Sequence, residues 1–195
     1  MALNQPDPDI LRRAKHGDEA AFTAIVQLYR APLQNYIARA LGGDQATAED
    51  LCQEIFLRMQ RSIGGFDGRC LFTTWLFQVA KHRIVDELRA RERRGVPVEI
   101  DAVLQLVPPL PPPEAITDMD LVWRAIAALN EDLRMALLLR DVVGLSYAEI
   151  ADALETTLAT VKWRIYKARE TVAADLCREG LARPVSARAS RSRVR

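Results

Sequence analysis

The chain has 195 residues, 49% of them apolar, which is enough to bury one or two small hydrophobic cores. Its net charge is close to neutral at +1, and no stretch approaches the roughly 18 apolar residues of a membrane span. The start lacks the apolar segment of a secretory signal, so we expect a soluble, cytoplasmic protein with no membrane insertion. Three widely spaced cysteines and two distant histidines form no metal-ligand pattern, so we expect no metal and no cofactor.

Helical periodicity dominates the first half of the chain, and strand-like alternation is nearly absent. Residues 17–41 place apolar side chains at steps of three or four, which predicts one helix, bent or broken at Pro32. Thr47 with Asp50 three residues later predicts the cap of a second helix. The first predicted domain, 10–95, is therefore a small helical bundle.

A third helix is predicted from about Leu71 to about Arg93, with Gly95 as its terminator. The next segment, 96–118, is acidic and proline-rich and has no basic residue. Proline removes backbone donors and disfavours helix at the preceding residue, so this segment is predicted to be a flexible linker.

Helical patterning resumes at about Met119, with a break at Asn130. The second predicted domain, 119–177, is followed by a basic segment, 178–195, predicted to be a disordered tail. The fold class predicted is therefore all-α, with two small helical domains joined by a flexible linker.

A helix-turn-helix is predicted in the second domain. Ser146 with Glu149 forms a capping box for its first helix, and its second helix begins near Thr157. The buried stripe of that second helix is predicted to consist of Val161, Ile165 and Ala168. The opposite face then carries Trp163 and Tyr166 among cations, a combination that favours binding in a DNA groove. The alternative is that Trp163 packs against a neighbouring helix and the cations are only solvated.

A second candidate surface lies on the third helix, where Trp75, His82 and Arg89 share a stripe beside the core stripe. Aromatic and basic side chains together suit unpaired nucleic acid, because rings stack on bases and cations hold phosphates. The alternative, with Trp75 in the core and the arginines at a solvated helix end, is equally compatible with the pattern. On the second helix, Gln53 and Glu54 lie opposite the core stripe and are candidates for a protein-docking face.

The whole pattern resembles the bacterial sigma factors, specifically the small two-domain extracytoplasmic-function (ECF) group of the sigma-70 family. The resemblance covers about residues 10–95 and 119–177. It rests on five segments in the family's order: "GDEAAFTAIVQLYRAPLQNYI", "AEDLCQEIFLRM", "FTTWLFQVAKHRIVDELRARERR", "LNEDLRMALLLRDVVGLSYAEIADAL" and "TVKWRIYKARETVAADL".

The resemblance implies a protein that binds core RNA polymerase at its clamp and directs it to promoter DNA, with an anti-sigma factor as a further partner and no small-molecule substrate. The first domain would dock on the clamp and open the minus-10 element, and the second would read the minus-35 element as duplex. Clamp docking would use Asp50, Gln53, Glu54 and Leu57. Minus-10 recognition would use Phe66, Asp67, Arg69, Phe72, Trp75, Lys81, His82, Arg83 and Arg89. Minus-35 recognition would use Ser146, Thr157, Ala159, Thr160, Lys162, Trp163, Arg164, Tyr166, Lys167 and Arg169.

Four positions depart from the family pattern. His82 replaces a usual asparagine, while Thr157, Ala159 and Trp163 replace a usual proline, glycine and serine. A bulky indole on the groove face is expected to alter which bases are tolerated, for example by apolar contact with a thymine methyl group.

Two other classes of protein share parts of this pattern. A helix-turn-helix regulator that is not a sigma factor would use the second domain in the same way, and a sigma-mimicking protein would bind only an anti-sigma factor. An enzyme is not expected, because the chain has no nucleophile elbow, phosphate loop or dinucleotide-binding glycines.

Overall fold

The computed structural model describes residues 3–94 and 117–180. All of the regular secondary structure in these two ranges is helical, which confirms the all-α prediction. The predicted terminator Gly95, nearly all of the predicted linker and the chain after Gly180 lie outside the described residues. No helix in the described ranges is long and apolar enough to cross a membrane.

The first module, residues 3–94, is a bundle of four α-helices. They are α1 (Pro8–Lys15), α2 (Glu19–Ala40), α3 (Gln45–Ser62) and α4 (Phe72–Arg93), with a short 3-10 turn at Ile63–Gly65 between α3 and α4. The bounds of α4 confirm the predicted third helix. The sequence patterns did not predict α1, which Asp7 caps by accepting a hydrogen bond from the backbone N–H of Asp9.

Two details of the first module correct the predictions. Helix α2 runs through Pro32 as one helix, so the break that the sequence allowed as an alternative to a bend does not occur. Buried Tyr29 and Leu33 on either side anchor the helix in the core despite the missing N–H. Helix α3 starts before Thr47. Asp44 is its cap and accepts hydrogen bonds from the backbone N–H of Thr47 at 3.0 Å and from the Thr47 hydroxyl at 2.6 Å.

The second module, residues 117–180, also has four α-helices. They are α5 (Asp118–Ala127), α6 (Glu131–Leu138), α7 (Tyr147–Ala153) and α8 (Leu158–Arg178), and α6 continues as a π-helix over Leu139–Val143. Ser146 and Glu149 form the capping box of α7, as predicted, and α8 starts at the predicted place with Thr157 as its cap. At the predicted break, Asn130 is the cap of α6. Arg178 is still helical, so the segment predicted as a tail begins inside α8.

The two modules pack against each other, and their buried side chains form one continuous cluster. Helix α4 contacts α7, and α2 contacts α5, α6 and the π-helix. The guanidinium of Arg39 on α2 lies over the ring of Trp123 on α5, 3.7 Å from its centroid. This closed arrangement places the helix-turn-helix, formed by α7 and α8, beside α4 of the first module.

Candidate nucleic-acid interface

The outer face of α8 is the most exposed aromatic surface among the described residues. Val161, Ile165 and Ala168 are buried at helical spacing, as predicted. On the opposite side the Trp163 side chain is 59% exposed and the Tyr166 side chain 67% exposed. The face assignment is therefore confirmed, and the alternative in which Trp163 packs against a neighbouring helix is wrong.

The cations of α8 are not all directed outward. Arg164, 17% exposed, bonds the Asp132 carboxylate of α6 at 2.7 Å, and the Arg169 guanidinium bonds Asp141 at 2.6 Å. Both arginines are therefore paired with an acid of their own module. Lys162 is exposed and forms no ion pair with any described residue.

Three predicted hydroxyl groups of the minus-35 set stabilise helix starts. The Thr157 hydroxyl accepts a hydrogen bond from the Thr160 backbone N–H at 3.1 Å and lies 2.8 Å from the Thr160 hydroxyl. The Ser146 hydroxyl accepts from the Glu149 N–H at 3.3 Å. Ala159 is also exposed at the start of α8, so the exposed side chain that precedes Trp163 by one helical turn is a small one.

The aromatic residues at the start of α4 form a cluster with the loop before it. Phe72 is only 2% exposed and Phe66 7% exposed, so neither side chain is available to stack on a base in this conformation. Both rings lie against half-buried Trp75, with centroids 5.5 Å and 5.4 Å from its ring. The expectation that all three rings face nucleic acid is therefore wrong for the phenylalanines, because their rings complete the core beneath Trp75.

Further along α4, three side chains meet one carboxylate of the second module. Gln78, Lys81 and His82 each have a nitrogen 3.0 Å from a carboxylate oxygen of Glu155. The hydrogen bonds from Lys81, His82 and Gln78, in that order, lower the pKa of Glu155 to about 2. Lys81 and His82, both predicted for the minus-10 site, are thus hydrogen-bonded within the protein.

The rest of the minus-10 set is divided between bound and exposed positions. Arg83 is bound to Glu54 of α3 and lies 3.5 Å from the Asp86 carboxylate, with 15% of its side chain exposed. In the loop, Arg69 pairs with Asp67 at 3.0 Å, and both are exposed. Arg89 is exposed on α4.

The predicted docking face on α3 is exposed along its length. Asp50, Gln53 and Glu54 are exposed, and the Leu57 side chain is 54% exposed. An apolar groove runs beside this face between α2 and α3. Its lining includes Phe22, Val26, Cys52, Phe56 and Leu57. Glu54 belongs to the docking face and also binds Arg83, so α3 and α4 are linked by charge.

Sequence reasoning missed Glu155. This residue follows the last turn of α7 with φ 53°, the left-handed conformation in which glycine is common after a helix. The signal in the sequence was a charged residue at a position after a helix where glycine is common. The signal did not indicate the partners of Glu155, which lie 73 to 77 positions away in the sequence. In the parts of the chain that the structure describes, no group of three or more His, Cys, Asp or Glu side chains is placed to hold a metal ion.

Comparison with known proteins identifies both modules. Residues 25–94 match the family model of Sigma-70 region 2, and residues 119–172 match that of Sigma-70, region 4. The chain is 32% identical to the RNA polymerase sigma-H factor of Pseudomonas aeruginosa over 88% of its length and 94% of the relative. It is also 32% identical to the ECF RNA polymerase sigma-E factor of Escherichia coli strain K12, over 88% of its length and 95% of that relative.

The fold is similar to that of a solved structure as well. The sigma factor RpoE in a complex with the anti-sigma factor NepR from Bartonella quintana superposes with a TM-score of 0.64 at 22% identity, covering 80% of this chain and 96% of that one. A sigma factor is indicated by both family models and by the near full-length relatives, and the all-α architecture is consistent with it. The chain therefore belongs to the sigma-70 family of RNA polymerase sigma factors, in its ECF group.

Proposed function

We propose that this chain binds core RNA polymerase in the cytoplasm and directs it to a defined set of promoters. The observation that carries the proposal is that near full-length relatives named as sigma factors match both modules together. A regulator with only the helix-turn-helix in common would not need the first module, so that alternative is not favoured. Sigma factors are DNA-binding initiation factors, and this role needs no catalytic group, cofactor or small-molecule substrate.

In this proposal the second predicted domain, 119–177, reads the minus-35 element as duplex through the outer face of α8. Trp163 and Tyr166 supply exposed rings, and Lys162 supplies a cation for a phosphate. A tryptophan in the major groove offers apolar surface to a thymine methyl group, which would favour sequences with thymine at that step. Arg164 and Arg169 would add phosphate contacts only after leaving Asp132 and Asp141.

The first predicted domain, 10–95, would capture the minus-10 element as a single strand along α4. Phe66 and Phe72 support Trp75 from beneath, which fixes the one ring of this cluster that reaches the surface. Extruding a base costs a few kcal/mol and stacking returns about 1–3 kcal/mol per base, so this surface alone would not open DNA. Core polymerase would supply the remaining free energy.

Docking on the polymerase clamp would use the exposed face of α3. Asp50, Gln53 and Glu54 present a polar and acidic surface with Leu57 as an exposed apolar contact, and the groove beside it adds apolar area. The acidic residues between 96 and 118 would then connect the two modules within the polymerase. An anti-sigma factor is a further proposed partner, because a structure similar in fold was solved with one bound.

Run-off transcription tests this function directly. Purified chain is added to core RNA polymerase with a pool of genomic fragments, and the products are sequenced. We expect discrete transcripts that share a minus-10 and a minus-35 element and that require the added chain. A sigma-mimicking protein or a separate regulator would give no new start sites with core polymerase, and that result would refute the proposal.

A further inference from the structure

We propose that Glu155 holds the free protein in a closed, autoinhibited state by occupying the basic groups of α4 that would otherwise bind promoter DNA. This inference depends on the proposed function only for what α4 binds. The closed state itself is a separate, measurable property of the chain.

We call the contact between the Glu155 carboxylate and three donors on α4 the latch. The two oxygens of Glu155 accept hydrogen bonds from the Gln78 amide, the Lys81 ammonium and the His82 ring, all at 3.0 Å. Oxygen atoms of a phosphate would be held by the same donors, because lysine, glutamine and histidine bind phosphates through such nitrogens. The carboxylate therefore takes the place of a nucleic-acid phosphate on α4.

The backbone at Glu155 favours this role over a purely local one. Its φ of 53° is one that glycine adopts more readily, yet the side chain at this position extends from the helix-turn-helix turn to the other module. None of its side-chain hydrogen bonds is made within its own module. A residue needed only to end α7 would not require a carboxylate.

Other contacts hold the same arrangement. Arg39 of the first module covers Trp123 of the second, and the Tyr36 ring is completely buried where α2 faces α6. In this state Lys81 is only 20% exposed, while the Trp163 face of α8 stays open to solvent. The latch thus covers one DNA-binding surface and leaves the other free.

The closed state is too short to span a promoter. Elements centred at minus 10 and minus 35 are about 25 base pairs apart, or about 85 Å along B-form DNA at 3.4 Å per base pair. A compact body formed by the described ranges is about 40 Å across. Residues 95–116 reach about 70 Å at full extension, so the modules can separate far enough once the latch opens. Opening is therefore a required step before both elements are bound.

The test measures module separation and DNA binding in the full-length chain. The exposed Thr23 and Ala174 are replaced by cysteine for dye labelling, in a background in which Cys52, Cys70 and Cys177 are alanine. Single-molecule energy transfer then reports the ratio of open to closed molecules. A fluorescent single-stranded DNA 15-mer of mixed sequence serves as the nucleic-acid probe, with unlabelled protein.

Three variants distinguish the loss of the latch contact from the general effect of removing a negative charge. Glu155→Gln removes the charge and keeps the shape, while Glu155→Gly removes the side chain and suits the positive φ, so its fold is retained. Asp152→Asn is the matched control, because it removes one exposed negative charge from the same helix-turn-helix without touching the latch.

We expect Glu155→Gln and Glu155→Gly to raise the open-to-closed ratio and the affinity for the DNA probe by about two- to fivefold, the range for exposed charged contacts. Asp152→Asn should change both by much less. Equal behaviour of the Glu155 variants and Asp152→Asn would overturn the proposal. More opening without a gain in DNA affinity would also overturn it, because the latch would then block nothing. Failure of the wild-type chain to support run-off transcription would instead count against the proposed function.

Discussion

Replacing Trp163 by alanine is expected to lower promoter-specific transcription about tenfold or more while leaving the fold intact. A good base contact is worth about 1–3 kcal/mol, and each 1.4 kcal/mol corresponds to about a factor of ten in binding. The Trp163 side chain is 59% exposed, so its loss opens no cavity in the core. The measurement is run-off transcription at limiting DNA, together with thermal unfolding of the same protein.

Met119→Ala is the matched control for this change. The Met119 side chain lies in the same module and is 57% exposed, but it is on α5 and not on the helix proposed to read DNA. We expect its transcription and melting temperature to match those of the wild type. If Trp163→Ala kept full promoter-specific transcription and instead melted several degrees lower, the assignment of Trp163 to the DNA face would be wrong.

Phe72→Ala is expected to destabilise the protein by about 3–5 kcal/mol, the range for removing a buried aromatic side chain. Phe72 is 2% exposed, and its ring centroid lies 5.6 Å from that of Tyr29 and 5.7 Å from that of Phe66. The cavity would also remove the support beneath Trp75. Urea unfolding of the full-length chain measures the effect as a change in the free energy of unfolding.

The neighbouring Leu71 provides the comparison, because its side chain is 48% exposed and Leu71→Ala should change stability by less than about 0.5 kcal/mol. A Phe72→Ala protein of wild-type stability that failed to open promoters would show that Phe72 contacts DNA. It would then have to leave the core in the bound state, contrary to the structure.

The helices and their caps were largely predictable because their signals are local. The bounds of α4, the capping box of Ser146 with Glu149 and the start of α8 at Thr157 follow from residues within a few positions of one another. The same locality explains the exposed face of α8. A helix that buries Val161 and Ile165 must present Trp163 on another side.

The errors came from features that local patterns do not determine. Proline inside α2 predicted a bend or a break, and the break does not occur, since burial of Tyr29 and Leu33 outweighs one lost hydrogen bond. At the start of α3, Thr47 was the predicted cap, but Asp44 accepts hydrogen bonds from the backbone N–H and the hydroxyl of Thr47 and caps the helix instead. The aromatic residues near α4 have similar chemistry, so only packing shows that Phe66 and Phe72 are core and Trp75 is half-exposed.

The long-range charge contacts were beyond sequence reasoning. Glu155 meets Lys81 and His82 only because the two modules pack together, and Asp132 redirects Arg164 because α6 lies beside α8. These contacts occupy basic groups on the surfaces proposed to bind DNA. Several cations that appear free in the sequence have an acidic partner in the free protein, so the proposed DNA binding would exchange one set of ion pairs for another.

The most direct test of the central claim, that each module contacts one promoter element, is photo-crosslinking in the polymerase complex. A photoreactive phenylalanine derivative replaces Trp75 in one protein and Trp163 in another, and each is assembled with core polymerase on a promoter found by run-off transcription. We predict that position 163 crosslinks to duplex DNA at the minus-35 element and position 75 to the single strand at the minus-10 element. Crosslinks from both positions to polymerase alone, with none to promoter DNA, would contradict the account.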